Sequence, residues 1–151
     1  MKWVTRSKPH VDRCSSLWLI RNFVDPEAEF AFVSRDYLWK ENEIPLVLPG
    51  AELSPQLGKT TFELIIQKYE IEDKIVRQIA SIIHDIEQAE ESEIYNLPES
   101  MGVFIVLRGI EPSSPNDQET VDIAFTVMDA IYTFLQKKNQ GEKLSWGKIC
   151  C

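Results

Sequence analysis

The sequence predicts an α+β fold, mostly helical, with a small three-stranded sheet packed against about five helices. Three observations predict it. Stretches with strand character, at 3–6, 29–33 and 44–48, are short and confined to the first part of the chain. Helical periodicity dominates the rest: Ile75, Ile79, Ile82, Ile83 and Ile86 share a face over 72–88, and Val121, Phe125, Met128, Tyr132 and Leu135 do so over 115–138. Between the first two strands, Leu17, Trp18, Leu19 and Ile20 leave a helix over 12–24 little face for water, which places it centrally.

The chain has 151 residues, 44% of them hydrophobic, enough for one domain with its own core. We expect that domain over 1–138 and a tail over 139–151. No apolar run approaches the ~18 residues of a membrane helix. Met1–Arg6 lacks the apolar segment of a signal peptide, so a cytoplasmic protein without a membrane partner is expected. Sixteen Lys and Arg against 24 Asp and Glu give a net charge of −8, which argues against nucleic acid as a partner. Basic charge is nonetheless concentrated at the start, where Lys2, Arg6, Lys8, Arg13 and Arg21 face only Asp12. Cys14 reads as a small buried hydrophobe, and Cys150 and Cys151, adjacent at the end, support neither a disulfide framework nor a zinc site.

Taken in order, the first strand is followed by a polar turn and by the 12–24 helix, with Asp12 as its expected N-cap. Asp25-Pro26 is a turn signal, and Phe30 and Phe32 alternate along the second strand. Residues 34–39 suggest a short helical turn, and Pro49-Gly50 closes the third strand. Thr60 and Glu63 have capping-box spacing and open a helix to Tyr69. A further helix is expected from Pro98 to a stop at Gly109, then a solvent loop, then the long helix over 115–138.

The turn and the helix start gather Arg6, Lys8, His10, Asp12 and Arg13 within eight residues. Four readings are open. In the structural one, Asp12 caps its helix and Arg6 or Arg13 pairs with Asp129 or Glu87. In the second, Arg6, His10 and Arg13 join the helix N-terminus in an oxyanion site, since guanidinium groups supply fixed donors for a tetrahedral dianion. In the third, His10, Asp12, Glu87 and Asp129 hold a divalent metal, Mn, Fe or Zn. In the fourth, His10 acts as a general base, although no nucleophile, P-loop or dinucleotide motif accompanies it. His84 reads as a solvated histidine on the far side of its helix. Asp129 lies in a broadly apolar helix. It either marks a polar strip with Asp122 and Gln136 or turns, buried, toward the Arg6–Arg13 turn, and we expect the second.

Trp3–Arg6, Pro9–Arg13 and the run Trp18–Ala28 resemble the ChrB-type chromate-resistance domain, whose pattern is W-V-T-R…P-H-V-D-R-x-A-x-x-W-L-I-R-x-F-I-D-P-x-A. The resemblance continues through Gly50–Leu53, Thr61-Phe62, His84–Glu87 and Asp129–Tyr132, to about residue 138. It implies a role in sensing or regulating the response to chromate. The longer members carry an additional N-terminal portion, whose DNA-related role is not carried over to this acidic chain. The family pattern L-x-H-x-G-D-x-C-[ST]-F departs here: Pro55 stands at the His and Thr60 at the Cys, while Glu87 keeps the carboxylate of a usual Asp.

Together these observations give, as the leading expectation, a non-enzymatic domain that binds or senses an oxyanion or a metal ion. The alternative is a small metal-dependent enzyme acting on a sulfur- or phosphorus-containing metabolite. The expected partners are a small oxyanion or metal ion, and a homo-oligomer is allowed.

Overall fold

The computed structural model describes residues 1–142. The two terminal cysteines lie outside the described residues. β1 (Lys2–Arg6) is the middle strand of a three-stranded parallel sheet, flanked by β2 (Glu29–Val33) and β3 (Glu43–Leu46) in the order β2-β1-β3. Val4 stands opposite Ala31 on one side and Pro45 on the other. Paired on both edges, β1 buries Trp3, Val4 and Thr5. Pro45 has no N–H to give a ladder and lies in β3, an edge strand. The third strand is shorter than expected. Val47 turns to a φ of 55°, and its N–H bonds the Leu53 carbonyl at 2.8 Å instead of extending the ladder.

Two parallel neighbours need a crossover, and α1 (Val11–Phe23) supplies it between β1 and β2. Leu17, Trp18, Leu19 and Ile20 are all buried, so the expected central helix is observed. It touches each of the other four: α2 (Thr61–Lys68), α3 (Lys74–Ser92), α4 (Ser100–Ser113) and α5 (Asp117–Asn139). The isoleucine face of α3 is core, and Asp73 caps that helix by accepting the Val76 N–H.

The structure corrects two local expectations. Residues 34–39 form no helical turn; a turn at Arg35 and Asp36 suffices, with the Ser34 hydroxyl bonded to Asp36. Gly109 does not stop α4, which continues to Ser113. Buried Ile110 lies just beyond Gly109 and holds the last turn against the core. No helix among the described residues is long and apolar enough to cross a membrane.

Candidate functional site

The chain leaves β1 at Arg6 and enters α1 at Val11, so the four residues Ser7 to His10 must reverse it. Lys8 takes a left-handed φ of 55°, and its N–H bonds Asp117 Oδ1 at the start of α5 (3.0 Å). The turn's carbonyls then converge on one side chain. The Arg13 guanidinium donates to the carbonyl oxygens of Arg6, Ser7 and Lys8, the last two at 3.1 and 2.6 Å. Arg13 is only 8% exposed. The sequence suggested a free anion donor, but Arg13 is the clasp of the turn, because buried main-chain oxygens need donors. Burial and the nearby Arg6 push its pKa down, with Asp117 and Asp12 acting in the opposite sense.

His10 occupies the N-cap position of α1 without making a side-chain cap bond. Burial lowers its pKa, and the charges of Arg108, Arg13 and Arg6 lower it further. Glu111 opposes them, its carboxylate 4.0 Å from His10 Nε2 and 3.8 Å from the Arg108 guanidinium. Arg6 ends β1, His10 precedes α1 and Arg13 lies in its first turn, so the three flank one turn, and Arg108 of α4 lines the cleft beside His10. Glu87, Glu90 and Glu93 line that cleft too, so it carries both signs of charge on a molecule of charge −8.

Asp12 behaves differently from the expectation. α1 starts one residue before it, so it lies inside the first turn and cannot be the N-cap. Its carboxylate reaches across to α2, accepting the backbone N–H of Thr61 (2.9 Å) and Phe62 (3.1 Å). Thr60 and Glu63 form the expected capping box. Asp12 thus completes the set of first-turn donors that α2 would otherwise leave unpaired. Burial pushes the Asp12 carboxyl up, and the two N–H bonds pull it back. Glu87 of α3 faces it. Burial, then the charge of Asp12, then that of Glu90 raise the Glu87 carboxyl to about 7. The Asp12 backbone N–H acts in the opposite sense.

The ChrB C-terminal domain family matches residues 3–135. The chain belongs to that family. Protein ChrB of Cupriavidus metallidurans is 28% identical over 133 residues, which are 87% of this chain and 40% of the relative. The chain therefore spans less than half the length of the curated relative it matches. No solved structure matches it. The two departures from the ChrB pattern fall in one place. Pro55 and Thr60 both line a cleft of about 430 Å³ with Asp12, Glu87 and His84. Thr60 is committed to the capping box there.

The four expected metal ligands are not brought to one point. His10 and Glu87 line one cleft, and Asp12 and Glu87 line another. Asp129 lines neither: it is exposed and accepts the Trp18 indole N–H at 2.8 Å. The expectation that it is buried against an arginine, a histidine or a metal is corrected. α5 buries Val121, Ala124 and Met128, whereas Ile123 remains 46% exposed, so apolar sequence overstated how far round the helix is covered. Among the described residues, no three His, Cys, Asp or Glu side chains are grouped to hold a metal ion. Cys14 is buried, as a small hydrophobe would be, with its thiol pushed up to about 12 by burial.

His84 is exposed, as a solvated histidine would be, and the structure adds a carboxylate partner, its Nδ1 lying 2.8 Å from Glu63 Oε1. One participant escaped the sequence reading. Arg108 is the one charge within the apolar run 103–110, and that isolation was its only signal.

Proposed function

We propose that this chain is a non-enzymatic, cytoplasmic domain of the chromate-resistance response that binds a small tetrahedral oxyanion at the start of α1. One observation carries this reading: half-buried His10 at the start of α1 shares a cleft with Arg108, and Arg6 and Arg13 flank the same turn, against Glu111 and the cleft's own Glu87, Glu90 and Glu93. An anion there relieves the repulsion among the basic groups, and Arg6 and Arg108 keep donors that Arg13 has spent on the turn. Membership of the ChrB C-terminal domain family supports the link to chromate, and the roles of the longer relative come to this chain only as part of the proposal.

Isothermal titration with chromate and with sulfate tests it. Binding should be lost in Arg108→Gln and weakened in His10→Gln. Sulfate keeps its charge across the neutral range, so its pH dependence reports the protein. His10 is depressed in the free protein, and a bound anion raises it, so binding takes up a proton and tightens as pH falls through the imidazole range. Absence of binding by either anion at millimolar concentration would sink the reading.

A further inference from the structure

The cleft next to His10 has a volume of about 250 Å³ and carries both signs of charge, contributed by different elements. His10 comes from the start of α1 and Arg108 from α4. Glu87, Glu90 and Glu93 come from the end of α3. Tyr95 and Phe104, a tilted aromatic pair 6.4 Å apart, join Val11, Ile86 and Ala89 in the apolar lining.

The acidic side is not explained by the fold. Helix C-termini favour cations, because their last carbonyls are the negative end of the helix dipole. The last turn of α3 contains no basic residue, yet Glu90 and Glu91 lie within it and Glu93 caps it. Glu90 and Glu93 are exposed and enter no ion pair among the described residues, and Glu87 is half-buried beside them. The end of α3, with its glutamates, and the start of α1, with Arg108 of α4 beside it, thus meet in one cleft.

We propose that this cleft binds a small aminoalkyl oxyanion, a phosphate or sulfonate, with its anionic head on His10 and Arg108 and its ammonium on Glu90 and Glu93. The short alkyl link lies on the Tyr95 and Phe104 rings. This deepens the oxyanion reading and rests on it: it names the ligand class of the same site, a zwitterion in place of a bare anion. Glu111 sets the competition at the head group, since it must release Arg108 and His10 to the ligand.

The test compares phosphoethanolamine with ethyl phosphate, which has the same head group and lacks the ammonium, by isothermal titration on the full chain; taurine and ethanesulfonate repeat it for the sulfonate head. The zwitterion should bind roughly threefold to fivefold more tightly, as expected for an ion pair with exposed glutamates. In the Glu90→Gln/Glu93→Gln double variant the ratio should fall to about one, and in Arg108→Gln both ligands should be lost. Both glutamates are exposed and sit at the unfavourable end of their helix, so the double variant should also melt no lower than the parent. Equal binding of the two ligands by the parent overturns the zwitterion site while leaving the oxyanion reading in place. So does a ratio unchanged in the double variant. Failure of ethyl phosphate, sulfate and chromate alike overturns both.

Discussion

Asp85 and Glu87 lie two residues apart on α3, and burial pushes both carboxyls upward. Asp85 nevertheless ends at about 2 and Glu87 at about 7. The difference lies in the donors. Asp85, 4% exposed, accepts the Ser100 hydroxyl (2.5 Å), the backbone N–H of Asn96 and Leu97 (2.9 Å each) and the Gln88 amide (2.9 Å). It ties the loop after α3 to the start of α4. Glu87 meets the charge of Asp12 on one side and Glu90 on the other, with only the Asp12 N–H favouring ionisation. Burial alone does not decide the state of a carboxyl; the donors that replace its water do. Asp85 is wired into the fold, and Glu87 is left at the edge of two clefts.

Breaking the wired side should have the largest effect. Asp85→Ala strands two backbone N–H groups and the Ser100 hydroxyl, and should cost on the order of 3–5 kcal/mol in a urea titration. The contribution of the parent residue is complete above the unfolded value near 4 and is lost as pH falls toward 2. A midpoint shift under about 1 kcal/mol would mean that the donors find water equally well, and the comparison would fail. Arg13 is wired in the same sense with the opposite charge. Arg13→Lys cannot span three carbonyls and should cost about 2 kcal/mol; an unchanged midpoint would return Arg13 to the role of a free anion donor.

The unwired side should respond with the opposite sign. Glu87 has a raised carboxyl, so the folded protein holds a proton that the unfolded chain has released between about pH 4.5 and 7. Stability therefore falls as pH rises through that window. Glu87→Gln removes the fall and should stabilise the protein at pH 8 by about 1 kcal/mol. Thermal melts at pH 5 and pH 8 check it, and a variant less stable than the parent at pH 8 would contradict the geometry. Asp129→Asn should have the smallest effect, below about 0.5 kcal/mol, because asparagine keeps an oxygen for the Trp18 indole on an exposed surface. A loss of several kcal/mol, measured by urea midpoint, would restore Asp129 to a buried charge network.

Local signals in the sequence were sufficient for several features. The strand over 29–33, the Thr60–Glu63 capping box, the isoleucine face of α3 and the buried run Leu17–Ile20 follow from short-range periodicity and backbone chemistry, and all are observed. The family was legible in the same way, because its most specific runs, Trp3–Arg6, Pro9–Arg13 and Trp18–Ala28, lie close together in the chain. That Arg6, His10 and Arg13 flank one turn was also legible, since they lie within eight residues of the chain. Which of them keeps a free donor was not. Arg13 is consumed by carbonyls five to seven residues before it, and whether a carbonyl needs a donor depends on how the turn is buried. Asp12 was read as serving its own helix, and only the docking of α2 against α1 gives it the N–H groups 49 and 50 residues away. Arg108 joins His10 only because α4 packs beside the start of α1. Periodicity determines which face of a segment is apolar; which charges end up sharing a cleft is decided by the packing of separate segments, because the cost of desolvation and the donors that offset it come from neighbours distant in the chain.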